Sequence, residues 1–166
     1  MKRDIMNKRG IQLARMLYNQ GKYDDAEKYL QDNIISAKTK YLMGKIYMKK
    51  GNIEEAKNWF YLAIDNDYKM VGPRLELARI WKDEGEYEKA EAEYVICLKR
   101  QPQDANLKLE AAKFYALQGY NEKAKQLIVK ARRISPKDDK VLMRSLEAYD
   151  KMQAYDEMYE ICDKLL

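Results

Sequence analysis

The sequence has no histidine and very few hydroxyl side chains, so it lacks the residues that most enzymes use for acid–base and nucleophilic chemistry. Histidine is the commonest metal ligand and a frequent general base. The only serines are Ser36, Ser135 and Ser145, and the only threonine is Thr39. These absences exclude a Ser–His–Asp triad and a histidine-based zinc site. We therefore expect a protein that is not an enzyme and binds no cofactor or metal.

Helix-breaking residues are also scarce. The chain has 3 prolines and 7 glycines in 166 residues, of which 46% are hydrophobic and 36% charged. Such a composition fills a core and favours long helices over many short strands. The length suits one domain of ordinary size or a small array of repeats. The sequence thus predicts an all-α fold.

Long apolar runs are missing as well. No stretch approaches the roughly 18 to 20 apolar residues needed to cross a bilayer, and the charged N-terminus is not followed by the apolar segment of a secretory signal. Cys97 and Cys162 lie in apolar helical stretches, which favours buried free thiols in a reducing compartment. We expect a soluble, cytoplasmic protein without membrane insertion.

The net charge of +5 and the pI near 9.0 raise the hypothesis of nucleic-acid binding. However, residues 1–9 contain Lys2, Arg3, Lys8 and Arg9 against the single acid Asp4, and acids and bases are mixed along the rest of the chain. A phosphate-binding surface usually needs a concentrated basic stripe. An RNA-binding helical-repeat protein therefore stays an alternative and is not the first prediction.

A short phrase recurs along the chain. It reads Gly-Lys-Tyr-Asp-Asp-Ala at Gly21, and related copies begin at Gly51, Gly85 and Gly119. A degenerate fifth copy begins at Gln153, and the intervals between the first residues are 30, 34, 34 and 34. Nearly constant spacing of this length is typical of a repeat architecture.

Each phrase has the features of a turn between two helices. Glycine suits the left-handed cap that ends a helix, and the acids that follow suit the first turn of the next helix. Pro102 and Pro136 fall between hairpins. We predict one domain over residues 1–166, with helical hairpins at about 7–36, 37–70, 71–104, 105–138 and 139–166. The four residues missing from the first interval are expected in the linker around Ser36 to Lys38.

The repeated pattern resembles the tetratricopeptide repeat family. The family pattern has a large, a small and an aromatic residue before the glycine, and an aromatic residue, an alanine and a proline after it. The second and third hairpins match this pattern best. The matching residues there are Met43, Gly44, Tyr47, Gly51, Ile53, Ala56, Phe60, Ala63, Leu77, Ala78, Trp81, Gly85, Tyr87, Ala90, Tyr94 and Pro102. The resemblance implies a right-handed α-solenoid of about five hairpins.

In that family the first helices of the hairpins line a concave groove, so the resemblance implies where a partner would bind. The residue six positions before each glycine is a lysine or an arginine. The residue one helical turn before that cation is mainly apolar. The expected groove residues are Ile11, Arg15, Tyr41, Lys45, Leu75, Arg79, Leu109 and Lys113. Glu147 breaks the cationic row in the fifth hairpin, where Met143 continues the apolar row. Such a surface would suit an extended or helical peptide with acidic groups and apolar anchors.

Alternative interpretations accompany these positions. The cations are equally consistent with a solvated face that forms ion pairs with neighbours such as Glu76 and Glu110. The carboxylate pairs Asp24/Asp25 and Glu54/Glu55 indicate helix capping and not acid–base catalysis. The Lys and Asn pattern with which some members of the family clamp a chaperone tail is missing, so that role is excluded.

The last predicted helix presents a second candidate surface. It carries Met158, Tyr159, Ile161, Leu165 and Leu166, with no polar capping helix after it. The end of a repeat array is normally polar or covered. We expect this face to dock on a partner or on a second copy, unless the chain is part of a longer one.

Together these observations predict a scaffold or adaptor that binds a partner peptide or helix and catalyses no reaction. The alternatives are a regulatory module of a larger enzyme or secretion assembly, and the RNA-binding protein described above.

Overall fold

A computed structural model of the chain describes residues 2–31 and 36–163, with side chains from residue 9 onward in these ranges. The described residues form ten α-helices and no β-strand. In chain order the helices are α1 (Lys2–Asn19), α2 (Tyr23–Gln31), α3 (Ala37–Lys49), α4 (Ile53–Asn66), α5 (Val71–Asp83), α6 (Tyr87–Arg100), α7 (Ala105–Leu117), α8 (Asn121–Ile134), α9 (Asp139–Lys151) and α10 (Tyr155–Asp163). The prediction of an all-α fold built from helical hairpins is confirmed.

The chain divides into two compact units, Met1–Glu93 and Tyr94–Leu166. In the first unit α1 packs on α2, α3 packs on α4, and the first helices α1, α3 and α5 also contact one another in sequence. In the second unit α7 packs on α8 and α9, and α9 packs on α10. The division of residues 1–166 into one domain of five repeats stays a prediction.

The turns inside the hairpins depend on a left-handed backbone at one position. Gly21, Gly51, Gly85 and Gly119 have φ between +78° and +80°, a conformation that a residue without Cβ adopts at little cost. In the fifth hairpin Gln153 takes the equivalent place with φ +55°, the only positive φ of a non-glycine residue in the described ranges. The degenerate fifth phrase therefore forms the same turn as the others.

Acidic residues follow these turns as expected. Asp24 and Asp25 lie in the first turn of α2, and Glu54 and Glu55 in the first turn of α4. Carboxylates are stabilised there by the positive end of the helix dipole. Their regular position at helix starts explains the recurrent pairs without any catalytic role.

The start of α3 corrects one detail of the predicted first linker. Ser36 is the N-cap of α3, where its hydroxyl accepts a hydrogen bond from the Thr39 N–H, so Lys38 belongs to a helix and not to a linker. Helix α3 begins 14 residues before Gly51, as α5 does before Gly85. The four missing residues therefore fall between Gly21 and Ala37.

The core of the first unit consists of alternating large and small side chains from adjacent helices. Ala26 and Leu30 of α2 pack with Met43 and Ile46 of α3 in one cluster. A second cluster joins residues of α4 and α5, namely Ala56, Phe60, Ile64, Leu77 and Ile80. Burial of such side chains contributes about 1.5–3 kcal/mol each, which holds successive hairpins together.

The core of the second unit is rich in alanine and aromatic side chains. Tyr94 and Phe114 are buried, with ring centroids 4.9 Å apart, and Tyr149 is buried as well. Tyr87, which matches the repeat pattern in the first unit, is 40% exposed. It is the first residue of α6.

Candidate functional site

Contacts between the first helices of the first unit form a pocket of about 310 Å³. Three helices line it, since α1 contacts α3 and α3 contacts α5. The lining side chains are Tyr18, Lys45, Met48, Lys49, Glu76 and Arg79. Two of the predicted groove residues, Lys45 and Arg79, therefore meet at one pocket.

Glu76 organises the wall of this pocket. Its Oε1 accepts hydrogen bonds from Tyr41 Oη at 3.3 Å and from Arg79 Nη1 at 3.2 Å. Burial, and next the charge of Glu76, raise the pKa of Tyr41 well above its usual range, so its hydroxyl stays a donor. The ion pair with Arg79 is the one that the alternative interpretation anticipated.

A glycine makes room for Tyr41. A Cβ at Gly72 would lie 2.9 Å from Tyr41 Cζ, which is too close for unstrained packing. The ring of Tyr41 therefore lies against the backbone at the start of α5, where its hydroxyl reaches Glu76. The missing side chain at position 72 thus helps to hold the pocket wall in place.

Lys45 is oriented by aromatic rings. Its Nζ lies 4.8 Å from the ring centroid of Tyr18 and 5.8 Å from that of Tyr41. Cations are attracted to the negative faces of such rings. The ammonium group therefore lies between α1 and its own helix, at the pocket.

The other groove residues predicted in this unit do not line the pocket. Arg15 is exposed on α1, and Ile11 and Leu75 are partly buried. Four lining residues, Tyr18, Met48, Lys49 and Glu76, were not among the predicted groove residues. Lys49 follows Lys45 by four positions, and this helical spacing is the signal that would have found it.

In the second unit the predicted row is only partly accessible. Leu109 is fully buried, so its assignment as a contact residue was wrong: it is a core side chain with no surface to offer a partner. Lys113 forms an ion pair with Glu147, the residue expected to break the cationic row. Met143 is 60% exposed and, with Asn106 and Arg144, lines a separate pocket of about 300 Å³.

The predicted C-terminal surface also has fewer exposed residues than expected. Tyr159 is 70% exposed and Met158 is partly buried, but Ile161 is fully buried in the core and is no surface residue. Cys162, expected to be buried, is exposed, whereas Cys97 is buried. Leu165 and Leu166 lie outside the described residues.

Some charged side chains outside this pocket form ion pairs. Lys50 donates hydrogen bonds to Asp24 and Glu27, and Lys125 pairs with Glu157 at 2.5 Å. The side chains of Lys2, Arg3 and Lys8 lie outside the described residues. No described helix combines the length and the hydropathy of a membrane span.

Comparisons with known proteins agree with this architecture. Two models of the tetratricopeptide repeat match residues 11–41 and 37–69. No curated protein sequence matches the chain.

Solved structures show the same fold at low identity. MamA of AMB-1 is 16% identical with a TM-score of 0.71, over 97% of this chain and 90% of that one. TTC0263, a thermophilic TPR protein of Thermus thermophilus, is 21% identical with a TM-score of 0.73, over 95% and 89%. PilF of Pseudomonas aeruginosa is 16% identical with a TM-score of 0.78, over 98% and 76%. The likeness bears out the predicted helical-repeat fold.

Proposed function

We propose that this chain, in which models of the tetratricopeptide repeat match residues 11–41 and 37–69, is a non-catalytic scaffold that binds a peptide or helix of another protein. The single observation that supports this proposal is the open pocket at which the first helices α1, α3 and α5 meet. Its lining combines cations with the aromatic ring of Tyr18, a mixture that suits recognition of a polypeptide.

The proposed contact surface follows the first helices. In the first unit it comprises Ile11, Arg15, Tyr41, Lys45, Leu75 and Arg79, together with Tyr18 and Lys49 at the pocket. In the second unit Lys113 and Met143 are the proposed contacts. The hydrogen bonds of Glu76 to Tyr41 and Arg79 hold the wall of the first-unit pocket before any ligand arrives. Such preorganisation lowers the ordering cost of binding.

We propose α10 as a second interaction surface, for a partner or for a second copy of the chain. Tyr155 and Tyr159 are 53% and 70% exposed on this helix, and exposed aromatic side chains are common anchors at interfaces. Light scattering at high micromolar concentration tests the self-association version. A monodisperse monomer there would leave only docking by a different protein.

Site-specific photocrosslinking tests the main proposal. Benzoylphenylalanine replaces Lys49 on the first-helix surface in one variant and the exposed Tyr61 of α4 in a matched control. We expect discrete crosslinked protein partners in native lysate with the probe at position 49 and not with the probe at position 61. Equal crosslinking from both positions would contradict the proposal.

The remaining alternatives predict other results. An RNA-binding protein would bind polynucleotide with an affinity that falls steeply with salt. A regulatory module would crosslink to one large enzyme or assembly. A reducing, cytoplasmic location stays part of the proposal, supported by the two free thiols of Cys97 and Cys162, since free thiols persist in reducing compartments.

A further inference from the structure

The pocket of the first unit has an unbalanced charge. Lys45, Lys49 and Arg79 contribute three positive charges, and Glu76 contributes the one negative charge. Glu76 already pairs with Arg79. Within residues 9–31 and 36–163, no carboxylate lies at ion-pair distance from Lys45 or Lys49. Among the described side chains, the pocket therefore presents two ammonium groups that form no ion pair.

The positions of these two lysines suit a shared ligand. They are four residues apart on α3, so both side chains project from the same face of the helix. The rings of Tyr18 and Tyr41 attract the Lys45 ammonium, but a ring face engages an ammonium from one direction only. The remaining N–H groups can then donate hydrogen bonds to an anionic oxygen in the pocket.

The size and the walls of the pocket limit what can enter. A volume of about 310 Å³ is at the lower end for ligand sites and fits one or two side chains, not a large cofactor. Met48 and the ring of Tyr18 supply apolar surface next to the cations. A ligand that carries an acidic side chain next to an apolar one matches both the cations and the apolar surface of the pocket.

Glu76 favours a carboxylate over a phosphate. Its side chain is only 12% exposed and lies in the wall, where its charge repels an anion. The repulsion on a phosphate, which carries nearly two negative charges, is about twice that on a carboxylate. The one arginine of the pocket, which would suit a phosphate best, is engaged by Glu76.

We propose that this pocket binds the side-chain carboxylate of an aspartate or glutamate in the partner, through Lys45 and Lys49, with an apolar neighbour of that residue packed on Tyr18 and Met48. The inference rests on the proposed function and names the chemistry of the ligand at the same surface.

Selection from a displayed library of random peptides, each about 12 residues long, on the full chain tests the inference. We expect selected peptides to carry Asp or Glu beside an apolar residue and to shift the amide NMR signals of Tyr18, Lys45 and Lys49. The variant Lys45→Gln/Lys49→Gln should weaken binding of the best peptide by about tenfold, since each exposed charge contact contributes modestly. The matched control Lys38→Gln/Lys40→Gln, on the same helix and with the same change in net charge, should leave its Kd within about twofold.

A second variant tests the role of the wall. The best peptide is synthesised again with phosphoserine in place of its acidic residue. We expect the phosphorylated form to bind wild type more weakly than the carboxylate form. The Glu76→Gln variant, which keeps an oxygen acceptor for Tyr41 and Arg79, should bring the two affinities to within about twofold, because the charge that discriminates between them is removed.

The experiment distinguishes a failure of this inference from a failure of the proposed function. Peptides that shift the signals of α1, α3 and α5 but carry no acid, or bind the pocket variant and the control variant equally well, would overturn the inference and leave the proposed function in place. A failure of every peptide to perturb these helices would overturn both. Circular dichroism of each variant confirms that the helices are retained, so that a loss of binding reports on the pocket.

Discussion

The ring of Phe60 in α4 lies directly on the backbone of Gly44 in α3. A methyl group at position 44 would come within 2.4 Å of Phe60 Cε1, and Phe60 is fully buried, so the ring has no space into which to move. The close approach of α3 and α4 therefore depends on the absence of a side chain at Gly44.

The first prediction concerns this contact. Gly44→Ala should lower the free energy of unfolding by about 1–3 kcal/mol, the usual cost of overpacking a core. The higher helix propensity of alanine, worth about 1 kcal/mol, acts in the opposite direction and is outweighed. Urea denaturation followed by circular dichroism measures the difference. Combining it with Phe60→Leu should recover part of the loss, whereas a simple gain in stability would contradict the interpretation.

The second prediction concerns the turn of the fifth hairpin. Gln153 has φ +55° where the other hairpins have glycine, and a side chain in this conformation costs roughly 1 kcal/mol. Gln153→Gly should therefore raise the stability of the second unit by about that amount. Gly119→Ala is the matched opposite change, since a Cβ there has open space and only backbone strain remains. If both substitutions lower the melting temperature, the turn at Gln153 is not strained.

The third prediction concerns Lys57, which is only 6% exposed. Its Nζ lies 2.8 Å from Glu54 and 2.7 Å from Glu84, and 4.2 Å from the ring centroid of Trp81. Burial alone would lower the pKa of Lys57, but the hydrogen bonds to the two carboxylates outweigh it and raise the pKa.

Removing the charge of Lys57 and removing the charges of its two carboxylate partners should therefore have different effects on the free energy of unfolding. Lys57→Met keeps the packing and avoids desolvation, so we expect little change in stability. The double change Glu54→Gln/Glu84→Gln leaves a buried ammonium without its counter-charges and should cost about 2 kcal/mol. Chemical denaturation at neutral pH measures both. A larger loss of stability for Lys57→Met than for the double change would contradict this interpretation.

The fourth prediction concerns pH. Lys50 Nζ donates to Glu27 at 2.8 Å and Tyr47 Oη donates to it at 2.7 Å. These hydrogen bonds, that of Lys50 first, lower the pKa of Glu27. A carboxyl group whose pKa is lower in the folded state contributes stability above its unfolded pKa, and the contribution is lost as pH falls through the folded pKa.

Wild type should accordingly exceed Glu27→Gln in stability by about 1 kcal/mol at neutral pH. The difference should vanish once the pH is below the folded pKa of Glu27. Denaturation curves across the acid range measure it. A difference that is constant with pH would mean that the ion pair contributes nothing and that packing alone is affected.

Much of the architecture was predictable because it depends on local properties of the chain. A left-handed backbone at Gly51 or Gly85, acids in the first turn after it, and apolar residues at helical spacing are all determined within a few neighbouring residues. The repeated phrase therefore predicted the hairpins and even the turn at Gln153. That Lys38 lies in a helix was not predictable, because Ser36 and Lys38 fit a helix start as well as a linker.

The sequence by itself thus determined the kind of element and the order of the hairpins, but only the tertiary structure decided which repeat positions are open to a partner. Leu75 and Leu109 occupy the same place before their glycines, yet one is partly exposed and the other fully buried. Likewise Ile161 is in the core and its neighbour Cys162 is exposed. Exposure depends on the side chains that adjacent helices bring to each position, and those helices come from distant parts of the sequence.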